Sequence, residues 1–312
     1  MGEIVIGVSH LTKNFPSVRA VDDLSFEVPA GAVVGFLGPN GAGKTTTIRL
    51  LLGLLEPTAG TVSVFGRDVV KEGDAVRSMT GALLEHHGLY ERLSAEDNLA
   101  YYARIWKLPA SARQQRVREL LDHFGLTSKS RVRVGTMSRG TKQKLAIARV
   151  LIHRPRLIFL DEPTAGLDPV AAASLRDDIA RLASEEGTTV FMTTHNLHEA
   201  ERLCDTVAVM NRGKLIAFGS PGELLAPGGG TRYLITGASF PDLVLATLER
   251  MPGVGRIARV DGGIEVDLTG GTNPTAVVRT IIDAGIEIDE VRRSRTSLEE
   301  LFLTLMEEND AH

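Results

Sequence analysis

Cysteine and tryptophan occur once each in this chain, and aromatic residues make up only 5% of it. A single thiol, Cys204, excludes an intrachain disulfide framework and fits a reducing compartment, with the side chain expected on an apolar helix face. No run approaches the roughly 18 apolar residues of a membrane-spanning helix. Positive charge is not in excess either: 35 lysines and arginines face 39 aspartates and glutamates, a formal net charge of -4. No global positive field therefore draws the chain onto nucleic acid. Its first residues, MGEIVIGVSH, alternate Ile4, Ile6 and Val8 as a strand does, and lack the charged and apolar regions of a leader. The expectation is a protein that stays in the cytoplasm or is attached to something that does.

What is present falls into two parts. Up to about Gly219, short apolar runs alternate with helical segments, the pattern of an α/β domain around a buried sheet. SFEV, AVVGFL, GTVSVFG, RLIFLD and TTVFMTTH read as strands, and TVAVMNRGKLIAFG reads as a hairpin turning at 211–213. Between 89 and 149 the pattern is mostly helical, as in SAEDNLAYYARIWKL, which makes 89–155 a helical insertion between early and late strands. Tyr101, Tyr102 and Trp106 fall at helical spacing there and read as core or interface packing.

LAPGGGTR opposes both helix and strand, so a linker is expected at 225–231, between a domain at 1–224 and another at 232–312. In the latter, RYLITG, GRIARV, IEVDLTG and IEIDEV read as strands, and FPDLVLATLERM and NPTAVVRTIIDAG as helices, the second starting at an Asn273 cap. The order strand-helix-strand-strand-helix-strand is that of a small α+β, ferredoxin-like module. A last helix opens with a capping box, Ser297 to Glu300.

The sharpest chemistry lies in GFLGPNGAGKTTTIRLLLGLL. Gly38, Pro39, Asn40, Gly41, Ala42, Gly43, Lys44 and Thr45 fit G-x-x-x-x-G-K-[ST], after a strand and opening a helix, with Thr46 following. Backbone N–H groups of such a loop turn inward around phosphate oxygens, where a helix N-terminus adds positive potential. Lys44 is expected to reach the β- and γ-phosphates and the Thr45 hydroxyl to ligate Mg²⁺. RLIFLDEPTAGLDP supplies the other half: Asp161 ends a buried strand, where it can hold hydrated Mg²⁺, and Glu162 is placed to polarise a water for attack on phosphorus.

With these residues in place, the chain up to about Gly219 resembles the ATP-binding cassette (ABC) ATPases. Five motifs stand in the family's order: the phosphate loop at 38–45, MSRGT at 137–141, Asp161 with Glu162, AGLD at 165–168, and His195 ending FMTTH. The resemblance implies a RecA-like P-loop NTPase core with an antiparallel β-subdomain and a helical subdomain, binding ATP and Mg²⁺. It also implies two cassettes meeting head to tail. Ser138 and Gly140 would then contact the γ-phosphate held by the other cassette, Asp168 would couple the two sites, and His195 would contact the γ-phosphate beside the catalytic Glu162 and Lys44. Phe15 matches the aromatic that stacks on adenine, with core packing as its alternative reading.

This sequence departs from the family at three positions. Glu85 replaces the usual glutamine that contacts metal, and it adds negative charge beside Asp161 and Glu162. Arg139 and Thr141 replace the third and fifth residues of the signature. The adjacent His86 and His87 lack further ligands nearby and read as a solvated loop. Seven cations crowd 129–149: Lys129, Arg131, Arg133, Arg139, Lys142, Lys144 and Arg149. By charge they suggest a nucleic-acid patch, but by motif the stretch is half of a nucleotide site, with Lys142 and Lys144 solvated or near the nucleotide.

The stretch EHHGLYERLSAEDNL and the ending RTSLEELFLTLMEE look like the ATPases of the drug and antibiotic exporter branch. That resemblance implies separate membrane-spanning permease subunits, a second identical or different cassette, and a place on the inner face of the cell membrane. A soluble ABC ATPase of translation or DNA metabolism is the competing expectation, although no nucleic-acid partner is expected from the charge.

Overall fold

A computed structural model describes residues 3–225, 231–269, 272–294 and 297–310. The chain forms two compact units, Met1–Ser220 and Pro221–His312. The short helix Pro221–Leu224 therefore groups with the second unit, and residues 226–230 of the expected linker lie outside the described residues.

The first unit is built on a six-stranded sheet in the order Lys214–Gly219, Thr206–Asn211, Val33–Leu37, Thr189–Thr194, Leu157–Asp161 and Thr80–Leu83. All neighbours run parallel except the hairpin of the first two. Val33–Leu37 and Thr189–Thr194 are buried at every residue; the first reads as a continuous apolar run, and the second carries three threonines whose hydroxyls are hydrogen-bonded. The edge strand Thr80–Leu83 escapes sequence reading because it is four residues long and contains Gly81 and Ala82, which carry little strand preference.

A second, antiparallel sheet runs in the order Val18–Pro29, Ile4–Phe15, Ala59–Val64 and Arg67–Asp68. Val18–Pro29 buries Val21, Leu24, Phe26 and Val28 and exposes Ser25 and Glu27. Its core residues join those of the parallel sheet in one cluster. Phe26 and Phe36 lie 5.7 Å apart, and Phe36 and Phe191 5.2 Å apart.

The helical insertion contains Ala95–Ile105, Ala110–His123 and Arg139–Val150. Ser94 caps the first, accepting from the Asp97 amide at 3.1 Å. The aromatics expected as packing do pack, but mainly on one another at the surface: Tyr101 meets Tyr102 at 5.5 Å, and Trp106 stacks on His153 at 3.7 Å.

The second unit has one antiparallel sheet in the order Val254–Val260, Gly263–Leu268, Thr231–Gly237 and Ile288–Ser294. Helices Asp242–Glu249 and Pro274–Asp283 contribute Leu248, Val277 and Ile281 to a core with Ile235, Ile264 and Val266. This is the ferredoxin-like order expected from sequence. Asn273 caps its helix through the Thr275 amide at 2.9 Å. Ser297 accepts from the Glu300 amide at 3.2 Å, but the expected capping box is half made. The Glu300 carboxylate instead lies 3.5 Å from Arg232, whose charge outcompetes a neutral amide. Among the described residues, no helix is long and apolar enough to cross a membrane.

Candidate functional site

The loop after Val33–Leu37 turns into the helix Lys44–Leu51 at the C-terminal edge of the parallel sheet, where open α/β sheets place ligands. Gly43 makes that turn: it caps the helix at φ 105°, and a Cβ there would collide with the carbonyl oxygen of Ala20. The cavity beside the loop has a volume of about 490 Å³ and is lined by Asn40, Gly41, Ala42, Gly43, Lys44, Thr45 and Thr46. Gly38 and Pro39 serve it through their carbonyls, which accept from the Lys44 ammonium at 2.7 and 3.2 Å.

Lys44 is only 7% exposed. Burial pushes its pKa down, while Glu162 and then Asp161 pull it back up. Glu162 comes within 3.8 Å of the ammonium. Asp161 closes a three-residue chain: it accepts from the Thr45 hydroxyl at 2.8 Å and from the Thr193 hydroxyl at 2.5 Å. Thr45 therefore arrives from the phosphate-loop helix and Asp161 from a strand end, and their oxygens converge.

Glu162 adopts φ 47°, a left-handed backbone that costs a non-glycine residue about 1 kcal/mol or more. Two bonds hold it there, from its amide to the Thr193 carbonyl at 3.1 Å and to the Thr193 hydroxyl at 3.0 Å. The resulting turn presents the carboxylate to the His195 ring, Nδ1 to Oε2, at 3.1 Å. His195 lies outside the cavity, in an adjoining hollow that it shares with Glu162, Gly166 and Thr194.

The remaining expected residues are spread more widely. Glu85 lines the cavity, but its carboxylate lies 2.8 Å from Arg49, one turn beyond Thr45. Phe15 does not line the cavity; it is 39% exposed and is the register partner of Val18, which does. Ser138 caps Arg139–Val150, accepting from the Thr141 amide at 3.3 Å. Gly140 faces Ala171, and Asp168 caps Pro169–Glu186 through the amides of Val170 and Ala171 at 3.1 and 2.9 Å. None of these last three reaches the same chain's cavity.

Among the polar residues of the cavity wall, His87 and Gln143 were not expected at the site, and Arg139 was expected either as weak support of a phosphate or as interface charge. The solvated-loop reading holds for exposed His86 but not for half-buried His87, whose Nε2 is enclosed without a partner. The i, i+4 spacing of Arg139 and Gln143 was the available signal for their shared face. Two of the seven cations of the basic stretch are neutralised, Lys142 by Glu91 at 2.9 Å and Lys144 by Asp178 at 2.7 Å, and Arg149 lies over the Tyr102 ring. Of the two places expected for these lysines, solvent or the nucleotide, Lys142 takes the first in its exposed pair with Glu91, Lys144 is half-buried between Ser174 and Asp178, and neither lines the cavity.

The sequence profile described as "ABC transporter" matches residues 21–165. Over 98% of this chain and 96% of the relative, the sequence is 38% identical to the daunorubicin resistance ATP-binding protein DrrA3 of Streptomyces coeruleorubidus. It is 42% identical to the bacitracin transport ATP-binding protein BcrA of Bacillus licheniformis, over 68% of each chain. Among solved structures, cbiO1 of Clostridium perfringens, part of the ABC transporter complex cbiONQ, superposes with a TM-score of 0.68 at 26% identity, covering 80% of this chain and 96% of that one.

Proposed function

The chain belongs to the ABC transporter ATP-binding proteins and is an ATPase, and on that premise we propose that it powers an exporter of drug, antibiotic or lipid-like substrates. The observation that carries the nucleotide half of this reading is the 2.8 Å meeting of Thr45 with Asp161 beside the buried Lys44 ammonium. Lys44 holds the terminal phosphates of ATP, and the amides of the loop from Gly38 to Gly43 surround them. Glu162 orients and deprotonates the attacking water, and His195 steadies the carboxylate.

Thr45 and Asp161 fit Mg²⁺, a hard cation that takes oxygen donors, and Glu85 stands at the same cavity as a further one. Among the described residues no cluster of three or more His, Cys, Asp or Glu side chains could hold a metal alone, which suits an ion that shares its ligands with phosphates. When bound, Mg²⁺ neutralises phosphate charge and polarises the group under attack.

Export is supported by the printed names of the relatives, daunorubicin resistance and bacitracin transport, the first aligned along nearly the whole chain. Nothing in those names favours translation or DNA metabolism, and two of the lysines of 137–149 are already paired with acids. In this reading two cassettes pair head to tail, with Ser138, Gly140 and Asp168 completing the partner's site, on permease subunits at the inner face of the membrane. The second unit is an accessory module of that assembly.

The test is co-expression with a membrane-spanning protein encoded in a neighbouring gene. Joint purification, ATPase activity that rises in lipid, and drug accumulation in cells that falls only when both are present are expected. ATP hydrolysis without any membrane partner would remove the exporter reading.

A further inference from the structure

One charged side chain at the cavity has no role in the site described above. Arg139 is exposed, and among the described residues no hydrogen bond or ion pair engages it. Its guanidinium nevertheless has a defined place. It lies across the loop at 165–168, so close to Gly166 that a Cβ on that residue would collide with it. Gly166 stands at φ 68° and has no side chain, so the guanidinium can cross the loop and line the cavity with Lys44, Glu162 and Ala165. Gln143, one turn along the same helix, lines the cavity too and donates to the Pro163 carbonyl at 2.6 Å. This face of Arg139–Val150 therefore looks into the chain's own site. Ser138, the extended cap residue, and Gly140, which faces Ala171, do not line it.

We propose that Arg139 selects ATP over ADP within its own chain, by taking the terminal phosphate in the cavity that Lys44 serves. The inference rests on the nucleotide reading above and adds a residue to it. The electrostatics favour it. Glu85, Asp161 and Glu162 all line this cavity, so a triphosphate enters against three carboxylates, one of them paired with Arg49. Lys44 is a single point charge already bonded to two carbonyls. A guanidinium adds a planar fork of donors matched to phosphate oxygens, and an unpaired one breaks no ion pair to do so. The contact also ties the helical insertion to the loop at 165–168 whenever the third phosphate is present.

The experiment compares wild type, Arg139→Ala and Arg139→Lys for equilibrium binding of ADP and of a non-hydrolysable ATP analogue. Protein is kept at a concentration where sedimentation shows single chains. Arg139→Ala is expected to weaken the ATP analogue about 3–10-fold, a modest charge-assisted contact discounted for exposure, and to change ADP less than about 2-fold. Arg139→Lys should recover part of the loss. Equal losses for both nucleotides, or none, would overturn the proposal. So would a loss seen only in paired chains, because Arg139 would then act on the partner's nucleotide. If wild type bound neither nucleotide, the underlying site reading would fall as well. That result is distinct, because it appears before any variant is compared.

Discussion

Thr45 and Asp161 stand 116 residues apart in the chain and meet through a 2.8 Å hydrogen bond at the C-terminal edge of the parallel sheet. The Thr193 hydroxyl binds the other carboxylate oxygen of Asp161 and, separately, the Glu162 amide. One threonine thus orients both acids, so the carboxylates proposed to hold the metal and to activate water are positioned as a unit.

Glu162→Gln keeps the shape of the turn and removes the base. Nucleotide binding should persist while hydrolysis slows by about 10²–10⁴-fold, the usual contribution of a positioned base. Single-turnover kinetics with radiolabelled ATP measure this, and unchanged turnover would remove Glu162 from the role.

Lys44→Ala takes out the buried ammonium that bridges the Gly38 and Pro39 carbonyls. Tight binding of both ATP and ADP should disappear, as read by calorimetry. Retained affinity would argue against the phosphate-loop assignment. The broad loss also separates this residue from Arg139, whose removal is expected to spare ADP.

Phe15 sits beside the cavity rather than in its wall, 39% exposed, with the Lys13 ammonium 5.3 Å from its ring centroid. An exposed ring of this kind is available to stack on a base. Phe15→Ala should cost roughly 1–3 kcal/mol of nucleotide affinity, the scale of aromatic–base stacking. An effect near zero would leave the ring as a packing group of the hairpin.

His153 reports pH through the single tryptophan. Burial holds its pKa below the ordinary 6.5, nearby Arg116 lowers it further, and the Thr80 carbonyl partly opposes both. Its Nε2 lies 3.0 Å from that carbonyl and Nδ1 is buried without a partner, so a second ring proton has no acceptor. The unfolded chain therefore binds more protons as pH falls through about 6.5, and stability declines from there down to the folded-state value. Trp106 stacks on the ring, so its emission should change with a midpoint below 6.5. His153→Gln should abolish that titration, and a midpoint at or above 6.5 would contradict it.

Cys204 is 7% exposed. Burial, followed by Glu199 and Asp205, pushes its thiol up to about 12. At pH 8 the folded protein should resist alkylation and react fully only once denatured. Cys204 lies just beyond the helix Leu197–Leu203, as its extended C-cap, and not on an apolar helix face as expected from sequence, so rapid labelling in the native state would show that this helix end opens.

Local pattern was enough to read the G-x-x-x-x-G-K-T loop, the acidic end at Asp161 and Glu162 and most strands of both units, whereas the motif at 137–141 was legible only through resemblance to the family. Those features are contiguous, and turn chemistry, apolar runs and caps act between near neighbours in the chain. The edge strand Thr80–Leu83, the surface aromatic cluster and the half-made cap at Ser297 were not legible, because each depends on what lies opposite.

The sequence by itself determined which chemistry the chain carries: a phosphate loop, an acidic strand end and no membrane-spanning helix. The tertiary structure decided how charge is distributed around that chemistry. It pairs Lys142 with Glu91, Lys144 with Asp178 and Glu85 with Arg49, and it leaves Arg139 unpaired at the nucleotide cavity. The physical reason is range. Helix, strand and turn preferences are settled within a few residues, whereas a charge is neutralised by whichever group the fold brings within about 4 Å, at any separation along the chain.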